Sequence, residues 1–189
     1  MIDKLNVLSF SDKFHPTKEQ QYTIRLHDHG LLRLIPISAE KDFFQVTNKI
    51  FFNTLLTSHL YQELFFDHFS QKSDGKHGPF LLSSLKDSDF VPITNDHLKK
   101  EIIQIVSSPK WSCPNISKEK LSEVKKLLDF LINKESESFF LERCLTFNSS
   151  SQEAIVYEHE WSHNLTSYYE YVIKDKTNKK AFLLIITYE

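Results

Sequence analysis

Apolar and polar residues alternate through residues 20–37, QQYTIRLHDHGLLRLIPI, on either side of Asp28-His29-Gly30. A period of two, broken by a short turn ending in glycine, predicts a β-hairpin. Tyr22, Ile24 and Leu26 share one face of its first strand, and His27 and His29 fall at the turn. From Ser38 the period becomes helical: in AEKDFFQVTNKIFFNTLL, Phe43, Val46, Ile50 and Phe51 recur at the spacing of one helix face, with Ser38 as the cap. A second start at Thr57 or Ser58 leads into HLYQELFFDHF, with Leu60, Leu64 and Phe65 as its apolar stripe. The Phe-Phe pairs at 43–44, 51–52 and 65–66 exceed what one narrow stripe buries, so this region needs a second layer or a partner.

Residues 70–79, SQKSDGKHGP, hold two of the three glycines among polar neighbours and predict a loop. Thr94 or Asn95 caps a helix over DHLKKEIIQIVSS, with Leu98, Ile102 and Ile105 inward. Ser117 opens a further helix, KEKLSEVKKLLDFLINK, with Leu121, Val124, Leu128 and Leu131 on one face and lysines opposite. Beyond it FFLERCLTF, AIVYEHEWSH, SYYEYVIKD and AFLLIITYE are rich in aromatic and β-branched residues and are separated by short polar stretches. That is the pattern of an antiparallel meander, with Lys176-Thr177-Asn178-Lys179 as its last turn. The 189 residues are therefore expected to form one α+β domain over 1–189: an N-terminal β-hairpin, a central group of amphipathic helices and a C-terminal antiparallel β-meander.

Composition changes this picture in two ways. Sixteen Phe and seven Tyr against one Met mean that the core is built largely of rings. Three glycines that form no cluster allow neither a Walker loop nor a dinucleotide fingerprint, which argues against the common nucleotide-binding enzymes. A net charge of −2 with both signs interspersed gives no general pull toward nucleic acid or a membrane. The lysines at 174, 176, 179 and 180 fit a solvated hairpin turn. Cys113 and Cys144 match no zinc-ribbon spacing and are expected to be reduced thiols. With no signal-peptide pattern and no long apolar run, a cytoplasmic location is expected.

One motif carries chemistry. Glu158-His-Glu-Trp-Ser-His163 contains H-E-x-x-H, which on a helix brings two imidazoles to one zinc ion with the glutamate as general base. Ser150-Ser-Gln-Glu153 fits the capping box of such a helix. Against it, Ile155, Tyr157, His159, Trp161 and His163 alternate as on one face of a strand, and the aromatic and β-branched composition of residues 155–173 favours the strand. There the two imidazoles stand about 13 Å apart and cannot share an ion. A third ligand is not evident at any familiar spacing; Glu170, His27 or His29 would have to be supplied by folding.

The expected function is therefore non-catalytic binding of another protein, a toxin for instance, in the manner of an immunity protein or antitoxin, with no cofactor. Surplus aromatics and a mildly acidic surface suit that role, and Tyr157, Trp161, Tyr168 and Tyr169 are the candidate contact residues. The alternative is a zinc-dependent hydrolase with His159 and His163 as metal ligands and Glu160 as base. The remaining histidines, His77 among them, are scattered singly and are expected to be satisfied or solvated side chains rather than general bases.

Overall fold

The computed structural model describes residues 6–7, 22–38, 43–58, 61, 75–108, 115–143, 145–146 and 165–188. Along the chain the elements are β1 (Asn6–Val7), β2 (Tyr22–His27), β3 (Gly30–Ser38), α1 (Asn48–Thr57), β4 (Lys76–His77), β5 (Phe80–Leu81), β6 (Phe90–Ile93), α2 (Asn95–Ser107), α3 (Lys118–Leu131), β7 (Ser136–Leu141), β8 (Leu145–Thr146), β9 (Ser167–Asp175) and β10 (Lys180–Tyr188).

The hairpin and the meander form one sheet. Its order is β1-β3-β10-β9-β7-β6, with β2 pairing β3 and β8 pairing β9, and every pairing is antiparallel. The long junction is β3 with β10, from Ala181 opposite Ile37 to Tyr188 opposite Gly30. β6 closes one edge, which is where Pro92 can sit without breaking the ladder between central strands. β4 and β5 make a separate two-stranded unit.

All nine residues of β9 are buried, because the sheet is covered on both faces. Side chains alternate across a strand, so each strand contributes to two cores. On one face Val172, Leu183, Ile185, Ile35 and Ile37 meet Phe43, Phe44 and the Phe51, Phe52 and Leu55 stripe of α1. On the other, Tyr169, Tyr171, Ile173, Leu184, Leu32, Ile24 and Leu26 meet Leu98, Ile102 and Val106 of α2 and Val124, Leu127, Leu128 and Leu131 of α3. The hydroxyl of Tyr22 donates to Glu123 at 2.5 Å, tying the hairpin to α3.

The expected caps of the last two helices are present: Thr94 accepts from the His97 amide and Ser117 from the Lys120 amide. The helix expected from Ser38 is shorter. Phe43–Gln45 form a single 3-10 turn, and α1 begins at Asn48, where the Thr47 hydroxyl accepts from the Ile50 amide. Ile50 consequently points outward, 49 % exposed. Ile105 is only half-buried, its expected place being taken by Val106. Of the Phe-Phe pairs, 43–44 and 51–52 are buried against one another and against β6 and β7; 65–66 lie outside the described residues, as do Leu60, Leu64, Cys113 and Cys144.

The final turn is held by Asp175, whose carboxylate accepts from the Asn178 amide at 2.9 Å and from the side chains of Asn178 and Asn133, each at 2.8 Å. Lys179 takes a left-handed φ of 53° there. No helix among the described residues is long and apolar enough to cross a membrane.

Phe52 locks α1 to the sheet. Its ring stacks on Phe90 with centroids 4.2 Å apart and meets Phe139 edge-on at 5.0 Å. Phe52→Ala is expected to lower stability by about 3–5 kcal/mol, as for other large-to-small changes at buried rings. Urea unfolding checks this, and a loss below about 1 kcal/mol would contradict the docking of α1.

Candidate functional site

β9 carries Glu170 and Lys174 in the midst of apolar residues, both on the face toward α1 and both buried. A charge removed from water must find partners. Lys174 finds backbone and ring. Its ammonium donates to the Val46 carbonyl at 3.3 Å and the Asn48 side-chain oxygen at 3.2 Å, and it lies 4.9 Å from the centre of the Phe51 ring. Burial holds it below the ordinary lysine value. It thereby fastens the entry of α1.

Glu170 finds a cluster assembled from three segments. One oxygen accepts from the Tyr61 hydroxyl at 2.7 Å. The other accepts from Tyr168 at 2.5 Å and faces Nε2 of His77 at 2.6 Å. On its far side the His77 ring donates through Nδ1 to the Tyr61 carbonyl at 2.7 Å. A carbonyl can only accept, and so can an ionised carboxylate. With Glu170 ionised, both ring nitrogens of His77 face acceptors, and the two side chains form a hydrogen-bonded buried pair. Tyr61 also lies flat on His77, with ring centroids 3.5 Å apart and planes within 9°.

The loop that carries His77 is built for this approach. Gly75 and Gly78 take φ of 73° and 53°, values that favour glycine. A Cβ on Gly78 would fall 2.6 Å from the Tyr168 ring. The Gly75 carbonyl accepts from the Leu82 amide at 2.8 Å, closing the turn around β4 and β5. On the other side Ser58, at the end of α1, accepts from the Tyr61 amide at 3.2 Å and donates to the Leu55 carbonyl at 2.6 Å.

Burial pushes the Glu170 carboxyl up, but the His77 charge, the His77 hydrogen bond and the two tyrosine hydroxyls outweigh it and hold the group below the ordinary 4.5. Burial, and then the neighbouring Glu170 charge, push the Tyr61 phenol well above its ordinary 10.0. His77 and Glu170 are both wholly buried. With His77, Glu170, Tyr61 and Tyr168 all buried and hydrogen-bonded to one another, the cluster can hold a proton in place inside the core.

On the opposite face, where β9 begins and β10 ends beside the C-terminal half of α2, the surface dips into a cleft of about 200 Å³. Glu101, Gln104, Ser167, Tyr169 and Tyr188 line it. The Glu101 carboxylate accepts from the Tyr171 hydroxyl at 3.0 Å, and Tyr188 donates to the Ile105 carbonyl at 3.1 Å, which fixes the walls. Next to the cleft's rim the ring of His27 stacks on Tyr188 with centroids 5.3 Å apart; its Nδ1 accepts from the His29 amide, and burial holds it below the ordinary histidine value.

The sequence-derived candidates are thus separated. Tyr168 is wholly buried in the Glu170 cluster and serves the core rather than a contact surface. Tyr169, 9 % exposed, lines the cleft on the other face. Tyr157, Trp161, His159, Glu160 and His163 lie outside the described residues. Among the described residues no group of three or more His, Cys, Asp or Glu is placed to hold a metal, and the carboxylate of Glu170 is occupied by His77 and the tyrosines. The cluster had a signal in the sequence: an acid inside the strand pattern YYEYVI, and a histidine beside a glycine. The chain has no significant match to a known family model, to a curated protein or to a solved structure.

Two outcomes are expected at Glu170. Glu170→Gln leaves the His77 charge buried without its counter-ion and should lower stability by about 3–5 kcal/mol, measured by urea unfolding at neutral pH. Because the folded-state value is depressed, the carboxylate's contribution is present in full above the unfolded-state value and is lost as pH falls through the folded one. Wild-type stability should therefore fall on acidification below 4.5, with part of that slope missing in Glu170→Gln. Equal slopes in the two proteins would contradict the ion pair.

Proposed function

We propose that this protein is a non-catalytic binding module that occupies a surface of another protein, as immunity proteins and antitoxins do. The observation that carries this reading is the saturation of the His77–Glu170 cluster: the most concentrated group of acid and base side chains among the described residues is spent on holding three segments of the chain together. A general acid or base needs reach to a substrate proton, and this one is sealed. The cleft beside α2 supports the same reading from the other side, since Tyr169 and Tyr188 offer the ring-rich lining that interfaces favour.

The competing proposal is zinc-dependent hydrolysis through His159, His163 and Glu160. It rests on the sequence motif alone. The two readings differ in stoichiometric metal and in partner binding, so a single preparation separates them. Protein purified from its native cells without chelator is expected to carry a partner protein that, re-expressed and mixed with it, gives a complex by size-exclusion chromatography with a Kd of about 1 μM or tighter. One zinc per chain, lost together with a hydrolytic activity in His159→Ala, would overturn the binding reading in favour of the enzyme.

A further inference from the structure

Resting on the binding reading, we infer that the cleft beside α2 receives the guanidinium of an arginine on the partner protein. The volume, about 200 Å³, is smaller than the few hundred Å³ usual for small-molecule sites and suits a single long side chain. Its lining holds acceptors with capacity that no hydrogen bond among the described residues takes up. Ser167 is 4 % exposed, and among the described residues none forms a hydrogen bond with its hydroxyl. Gln104 contributes an exposed amide whose oxygen is likewise unengaged among them. Glu101 spends one oxygen on the Tyr171 hydroxyl. Its other oxygen is 3.8 Å from Nε2 of His97, beyond hydrogen-bond reach, and among the described residues no lysine or arginine pairs with it.

A carboxylate and an amide oxygen on the α2 wall of the cleft, facing a hydroxyl on the β9 wall, suit a planar cation with donors on several sides better than they suit a point charge. The Tyr169 and Tyr188 rings add an electron-rich surround for the cation. Glu101 is itself only 30 % exposed, so its charge is screened less than a surface acid's. Among the described residues the titratable groups beside Glu101 are the Tyr171 phenol that donates to it and His97, which at 70 % exposure can swing away into solvent as the guanidinium arrives.

The test uses the full chain and three blocked tripeptides with arginine, lysine or citrulline between two glycines, titrated while backbone amide resonances are followed by NMR. Saturable shifts centred on Glu101, Ser167 and Tyr169 are expected for the arginine peptide. The lysine peptide should bind more weakly, and the citrulline peptide, isosteric but uncharged, about tenfold more weakly. Glu101→Gln should abolish the preference for arginine over citrulline. Ser167→Ala, which removes only a hydroxyl, should weaken the arginine peptide about threefold and stands in if the glutamine variant does not fold. Equal binding of arginine and citrulline, shifts mapping elsewhere, or no shift up to about 10 mM would overturn the assignment. A partner complex that forms unchanged with Glu101→Gln overturns the arginine but leaves protein binding standing; arginine-selective shifts without any partner complex support the cleft's chemistry and count against protein binding.

Discussion

A strand buried on both faces that nonetheless carries an acid and a base dictates much of this fold. β9 lies between two cores, and Glu170 and Lys174 point into the same one. Neither charge can be hydrated there, so each must be met by groups brought from elsewhere in the chain. Lys174 draws in the carbonyl of Val46 and the side chain of Asn48. Glu170 draws in Tyr61 from beyond α1 and His77 from the glycine-bearing loop. What covers this face of the sheet is thus positioned by two polar anchors, and the phenylalanine rings fill the space between them.

The two-residue period of β9 divides its functions. Tyr168 and Tyr169 are neighbours in sequence and lie in different layers, the first hydrogen-bonded to Glu170 and the second lining the cleft beside α2. The same alternation puts Glu170 among rings and Tyr171 against Glu101 of α2. One strand therefore supplies both the buried polar cluster and a wall of the cleft beside α2.

Local features were legible in the sequence, and features made by distant residues were not. The first hairpin, the caps at Thr94 and Ser117 and the turn after Asp175 each follow from residues a few positions apart. The start of α1 was misplaced because Ser38 and Thr47 are both acceptable caps, and the choice is made by Phe43 and Phe44 packing as a separate turn. β6 is short and contains Pro92, so it has little strand signal until β7 lies beside it. The union of β3 with β10 joins strands far apart in the sequence, and no periodicity reports such a pairing. Glu170 and His77 stand 93 positions apart; an acid within YYEYVI signals that a partner must exist, while its identity is a property of the folded chain. The zinc motif was conspicuous because its residues are contiguous, whereas the histidine that the fold buries was one of several isolated ones.

The polar anchoring of this face of the sheet depends most on His77 and Glu170 forming a closed ion pair inside the protein. Nitrogen-resolved NMR of the His77 side chain at neutral pH tests it most directly. Both ring nitrogens should carry a proton, with N–H signals at low field that exchange slowly with water. A ring with one bare nitrogen, or N–H protons exchanging as fast as those of a surface histidine, would contradict the account and reopen the cluster as a site of chemistry.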